Sequence, residues 1–116
     1  MTTDPNLDPA AFDAGLLTVV QGLIPPDRLE AYLRDLDRQL ATIIGCSDDD
    51  ASLQSRAHKI VSQAGMLGLT RLSERARELE DACRAGDAPR AALFHLGAVA
   101  QDIRLYAMPA AGILAS

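Results

Sequence analysis

Ala57-His58-Lys59-Ile60-Val61-Ser62-Gln63-Ala64-Gly65-Met66-Leu67-Gly68-Leu69-Thr70 runs directly into Arg71-Leu72-Ser73-Glu74-Arg75-Ala76-Arg77-Glu78-Leu79-Glu80. The apolar residues Leu53, Ala57, Ile60, Ala64 and Leu67 recur every three or four positions, and so do Leu72, Ala76, Leu79 and Cys83. That is the period of one face of a helix, whereas a half-buried strand would alternate. Gly68-Leu69-Thr70 interrupts the stripe as a turn, with Thr70 as N-cap. The stretch reads as two amphipathic helices, about 50 to 66 and 71 to 85, folded back on each other through a short connection.

Working outward, Ser47-Asp48-Asp49-Asp50 offers N-caps for the first of these helices. Before it, Leu29, Tyr32, Leu33, Leu36, Leu40 and Ile43 mark a helix from Pro26 to about Ile44. Pro26 lies in its first turn, the early acids Asp27 and Glu30 favour its dipole, and Gly45 ends it. A short helix is expected from about Pro9 to Val20, with Phe12, Leu16, Leu17 and Val20 on its apolar side, broken by Gly22 and Pro25-Pro26. On the other side, Gly86-Asp87 reads as a stop and a new cap. A last helix over about 88 to 107 then uses Ala92, Leu96, Val99, Ile103 and Tyr106, and Pro109 and Gly112 end it. Residues 1–7 and 108–116 are expected to be loose tails. No repeat, linker or strand pattern divides the chain. The expected fold is all-α, a single domain over 1–116: an antiparallel up-down four-helix bundle with a short additional N-terminal helix.

Composition agrees with this architecture and excludes several functions. With 116 residues, 48% of them apolar, the chain supports one core. Two Phe, two Tyr and no Trp leave the packing to Leu, Ala, Ile and Val. A net charge of −5 argues against nucleic-acid binding, which needs a concentrated basic surface. No apolar run approaches the roughly 20 residues that span a bilayer, and the N-terminus shows no signal-peptide pattern. Cys46 and Cys83 stand in no metal or redox spacing. They read as free thiols of a cytoplasmic protein, Cys83 as a small core residue.

His58 follows the core position Ala57, so it turns roughly 100° off the buried stripe. Its own face carries Gln54, Ser55, Ser62 and Gly65, which are uncharged and mostly small. A surface helix face usually carries Lys, Glu and Arg; this thin one lets another protein approach the ring. Periodicity alone favours an ordinary surface histidine on a low-charge face. His95 flanks the apolar stripe of the last helix with no acid or cysteine at ligand spacing, and reads as structural or incidental. Met66 and Leu67 read as the cap of the core.

The quoted segment resembles the signature of histidine-containing phosphotransfer (HPt) domains. That family has a phosphorylatable His in a helix of small residues, a loop Gly ten residues on, and a Leu-Glu pair about twenty-two residues past the His. Here these positions hold His58, Gly68 and Leu79-Glu80. The match is strong over about residues 50 to 87. The resemblance implies a phosphocarrier of a multistep His–Asp phosphorelay, exchanging a phosphoryl group between His58 and receiver-domain aspartates. Glu80 would accept a hydrogen bond from one ring nitrogen and fix tautomer and orientation.

Lys59, Ser62, Gln63, Gly65, Arg77 and Arg84 are the residues expected to meet the phosphoryl group or the partner. That partner is a response-regulator receiver domain, a hybrid histidine kinase, or both. No cofactor of its own is implied, since the Mg²⁺ belongs to the receiver. Without a glycine-rich phosphate loop the chain reads as a transfer intermediate lacking kinase activity, and as a monomer.

Two positions depart from the family pattern. Val61 stands where a Lys commonly helps neutralise the phosphoryl group, and Ser62 where a Gly commonly opens access. Ser is small enough to keep access. Loss of the Lys asks for charge from elsewhere, from Lys59, Arg77 or Arg84. Arg77 and Arg84 share a helix face with Ser73 and Glu80, which is equally readable as a solvated, salt-bridged face. Val61 also keeps open a degenerate adaptor that binds a receiver or kinase domain without being phosphorylated. A purely structural or dimerising bundle is disfavoured by the His58-to-Glu80 pattern.

Overall fold

The computed structural model describes residues 12–45, 50–87 and 89–113. Among them there is no strand. The elements are α1 (Ala14–Leu23), α2 (Pro26–Ile44), α3 (Asp50–Met66), α4 (Thr70–Ala85), α5 (Pro89–Ala98), a π-helical turn (Ile103–Ala107) and α6 (Met108–Ala110). Helices α2 to α5 form an up-down four-helix bundle. α3 packs most extensively on α4, α4 on α5, and α2 closes the ring against both α3 and α5.

α2, α3 and α4 follow the sequence pattern closely. Leu29, Leu33, Leu36, Leu40 and Ile43 of α2 are buried, as are Leu53, Ala57, Ile60, Ala64 and Leu67 from the α3 stretch and Leu72, Ala76, Leu79 and Cys83 of α4. Tyr32, expected on that stripe, is 37% exposed. Cys83 is buried, as anticipated. Cys46 and the caps at Ser47 to Asp49 lie outside the described residues.

The α3–α4 turn is built on Gly68, whose φ of +82° suits a residue without Cβ. Its N–H donates to the Gly65 carbonyl (3.3 Å), and the Leu69 N–H reaches back to the Ala64 carbonyl (2.8 Å). This is the Schellman pattern that satisfies a helix's last carbonyls. Leu69, not Thr70, is the N-cap of α4, and no side chain caps it; Thr70 is already helical.

α1 begins at Ala14 and ends later than the periodicity predicts, while the expected start at Pro9 and the tail 1–7 lie outside the described residues. Asp13 caps it, its Oδ1 accepting from the Gly15 and Leu16 N–H groups at 3.0 and 3.3 Å. The helix passes through Gly22 and stops where Ile24 precedes Pro25. A residue before proline is driven out of the helical region, and Ile24 has φ −129° and ψ 150°. Phe12 and Leu17 are buried, but Leu16 faces outward. The Asp13 N–H donates to the Gly68 carbonyl at 2.6 Å, so α1 is tied to the α3–α4 turn.

The largest departure is at the C-terminal end. One helix over 88 to 107 was the expectation; instead α5 ends at Ala98 and three turn residues follow. The carboxylate of Asp102 is the physical reason. It is buried and receives a bidentate guanidinium from Arg71 of α4, Nε to Oδ2 at 3.0 Å and Nη2 to Oδ1 at 2.9 Å. Bonds of i to i−3 type at Val99, Ala100 and Asp102 tighten the chain into that position. The wider π turn, with Met108 N–H donating to the Ile103 carbonyl, then re-phases the chain so that Ile103, Ala107 and Met108 all face the core.

Arg104 ties this turn to α2 by donating to Asp37 at 2.8 Å. That hydrogen bond raises the Arg104 pKa above its ordinary value. Phe12 stacks on Tyr106, with centroids 6.2 Å apart. Residues 108 to 113 are therefore no loose tail: Met108 is buried, and Ala111 and Ile113 pack on the core.

Candidate functional site

Ala57 is fully buried between α3 and its neighbours, and the next residue carries its ring out of the bundle. The His58 side chain is 68% exposed, and its Nδ1 lies 2.8 Å from Oε2 of Glu80 on α4. Two features of the sequence put these groups together across a gap of 22 residues. The glycine-based turn sets α3 and α4 antiparallel, and Gly65, without a side chain, lets the helices approach closely at Ser73.

A carboxylate only accepts, so Nδ1 is the donor and carries the proton. In the neutral ring Nε2 then holds the lone pair, and it has no partner among the described residues. The Glu80 side chain is only 13% exposed, so a largely sheltered acceptor holds an exposed ring.

The remaining expected site residues surround this pair unevenly. Lys59 and Ser62 are exposed beside His58 on α3, and Gly65 is half-buried one turn further on. Gln63 is half-buried, with its Oε1 sequestered and lacking a hydrogen-bond partner among the described residues. On α4, Arg77 is exposed and makes no ion pair among the described residues. Arg84 is engaged: Nη2 lies 3.4 Å from the same Oε2 of Glu80, and Nη1 3.2 Å from Oδ1 of Asp81. The salt-bridged reading of this face therefore describes Arg84 and not Arg77.

Val61 is half-buried against the core. No cation occupies the position one turn after His58. Leu67 does cap the core, but Met66 is 47% exposed. His95 is exposed, edge-on to Phe94.

Sequence reasoning underrated Ser73. Grouped with Arg77 and Arg84 on an open face, it is in fact buried, its Oγ donating to the Val61 carbonyl at 2.9 Å. A Cβ on Gly65 would stand 3.5 Å from that oxygen, so Gly65 and Ser73 form the close crossing point of the two helices. The signal was available: Ser73 directly follows the buried Leu72, one turn before Ala76.

Among the described residues no three His, Cys, Asp or Glu side chains gather as a metal site, and no helix is long and apolar enough to cross a membrane. The arrangement offers one exposed, oriented imidazole nitrogen on a face that a folded partner can reach.

A comparison with curated proteins and one with solved structures return no match. The family model described as Hpt domain matches residues 27–105, from the first turn of α2 into the π turn, and so covers the four bundle helices and the His58–Glu80 pair. The chain belongs to the Hpt domain family, whose members are the phosphotransfer carriers of phosphorelays.

Proposed function

We propose that this chain is the phosphocarrier of a multistep His–Asp phosphorelay and that His58 is its phosphoacceptor. The observation that carries the reading is the 2.8 Å contact from Nδ1 to Glu80 on a ring that is otherwise open to solvent. The lone pair of Nε2 attacks the phosphorus of an aspartyl phosphate on a receiver. The N–P bond forms as the P–O bond to the aspartate breaks, and its electron pair leaves on the carboxylate. The Nδ1 proton remains between ring and Glu80, whose negative charge stabilises the cationic phosphoimidazole. Donation to a second receiver is the same step reversed.

Phosphoryl transfer of this kind asks for alignment and charge more than for covalent help, so no nucleotide site is needed here. The Mg²⁺ is supplied by the receiver. The partner, a response-regulator receiver or the receiver of a hybrid kinase, docks across α3 and α4. It meets Lys59, Ser62, Gln63, Gly65, Arg77 and Arg84 there. The chain acts as a cytoplasmic monomer in this reading.

Incubation with a phosphorylated receiver tests the proposal. The expected product is an acid-labile, base-stable label on His58. His58→Gln should remove it while changing stability by less than about 0.5 kcal/mol, because the ring is exposed. Label that survives the substitution puts the acceptor elsewhere. Val61, which brings no charge to the site, favours the alternative of an adaptor that binds a receiver without being phosphorylated. That reading expects binding with no label under any condition.

A further inference from the structure

Resting on the reading of His58 as phosphoacceptor, we propose that Arg84 is a positioning residue. It braces the Glu80 carboxylate against the His58 ring and thereby fixes which ring nitrogen is left bare. One oxygen, Oε2 of Glu80, is shared: His58 Nδ1 stands 2.8 Å from it and Arg84 Nη2 3.4 Å. A carboxylate oxygen has lone pairs for both.

The other end of the guanidinium is anchored, Nη1 lying 3.2 Å from Asp81 Oδ1. The four groups form a chain, Asp81 to Arg84 to Glu80 to His58. Glu80, the link between Arg84 and His58, is 13% exposed, while the His58 and Arg84 side chains are 68% and 60% exposed. Glu80 and Arg84 are one turn apart on α4, so the brace needs no other element.

A glutamate side chain turns about three bonds, and orienting a ring on another helix requires those torsions to be held. An imidazole whose partner wanders distributes its proton over both nitrogens. Each molecule with the proton on Nε2 lacks the lone pair at the exposed position and cannot attack phosphorus. Arg84 therefore acts on the transfer rate through Glu80. A direct hold on the phosphoryl group is the competing role, and the engagement of both its terminal nitrogens by acids speaks against it; Arg77 has no such engagement.

The test uses the full chain labelled with ¹⁵N. Long-range proton–nitrogen spectra distinguish Nδ1–H from Nε2–H in His58, and transfer from a phosphorylated receiver is followed over a range of receiver concentrations. Arg84→Gln should lower the Nδ1–H fraction. It should slow transfer at saturation about 2- to 5-fold, the scale of a partly exposed ion pair, with the half-saturating receiver concentration unchanged. Arg84→Lys should restore part of both, because an ammonium pairs with Glu80 but cannot also fork to Asp81. In a Glu80→Gln background, Arg84→Gln should add nothing.

An unchanged ring spectrum in Arg84→Gln overturns the proposal. So does an effect of full size in the Glu80→Gln background, which makes Arg84 a direct contact of phosphoryl group or receiver. The spectra are taken on unphosphorylated protein. If His58 never accepts a label, the phosphocarrier reading fails and the spectra alone still decide the role of Arg84.

Discussion

α3 and α4 pack through apolar stripes in which Ala57, Ala64 and Ala76 are fully buried, and they cross closely where Gly65 meets Ser73. Between α4 and the chain beyond α5, the contact is the guanidinium of Arg71 on the carboxylate of Asp102. The first junction is made of small apolar groups repeating at helical spacing, so its geometry follows from the period alone. The second buries a charge, and the backbone bends to deliver it. A regular apolar interface gives a rigid frame on which two distant side chains, His58 and Glu80, meet with hydrogen-bond precision. A buried ion pair instead locks an irregular segment at one point.

The largest expected effect comes from breaking the second junction. Asp102→Ala leaves the Arg71 guanidinium half-sheltered without its carboxylate, and should destabilise the fold by about 2–4 kcal/mol in denaturant unfolding. Replacing both partners by apolar residues, Arg71→Met with Asp102→Leu, should recover most of that loss. At temperatures where the single variant stays folded, His58 should still accept label at the native rate, because the α3–α4 frame does not depend on the pair. A rate that falls with Asp102→Ala would mean that the two junctions are coupled.

Glu80→Ala probes the first junction from the chemical side. It should slow transfer about 10- to 100-fold, by analogy with loss of a carboxylate that orients a metal-bound histidine. Stability should change little, since the carboxylate sits at the edge of the frame. Unchanged rates would remove Glu80 from the site.

Gly68 sharpens the structural side. A Cβ there would collide with the carbonyl oxygen of Asp13, at a φ of +82°. Gly86, with φ +67°, has nothing within 4 Å. Gly86→Ala should therefore cost only backbone strain, about 1 kcal/mol, and Gly68→Ala that plus the displacement of α1. Faster amide exchange in the first turn of α1, in Gly68→Ala and not in Gly86→Ala, is the signature to look for.

What could be read from the amino-acid sequence divides along the same line. Every residue of the two apolar stripes assigned to the α3–α4 hairpin is buried, because a stripe of one period has one solution; Met66, placed beside the stripe as a cap, is not. The His58–Glu80 contact was legible through family resemblance and through the turn that makes the helices antiparallel. Asp102 was not legible: a single acid in an apolar helix reads as an outward residue, and its partner lies 31 positions away. Ser73 was missed for a related reason, since a hydroxyl buried at a close crossing looks polar in a helical projection. Ile24 shows the opposite case. Of the two breakers expected there, Gly22 and Pro25-Pro26, the prolines dictate where α1 stops, while the helix passes through Gly22, a residue that helices tolerate at modest cost.

The smallest expected effect concerns Val61, the side chain next to the crossing point whose carbonyl Ser73 engages. Val61→Lys leaves that backbone bond in place, but must lift an ammonium from a half-buried position. The stem can lie along the core edge while the charge reaches water. From one turn after His58, the ammonium comes within reach of a phosphoryl group on Nε2. The lifetime of the phosphohistidine should lengthen about 1.5- to 5-fold at low salt, and the gain should shrink as salt rises, because the site must stay open to a partner. Arg77→Ala should do the reverse: Arg77 has no ion pair among the described residues and is the arginine left to meet the phosphoryl group. Val61→Lys should then restore part of the lifetime in the Arg77→Ala background. Arg84→Ala belongs to a separate measurement, since its effect runs through Glu80. If neither Val61→Lys, nor Arg77→Ala, nor salt alters the lifetime of a robust phosphohistidine, the compensating charge comes from the receiver, and the two helices supply alignment alone.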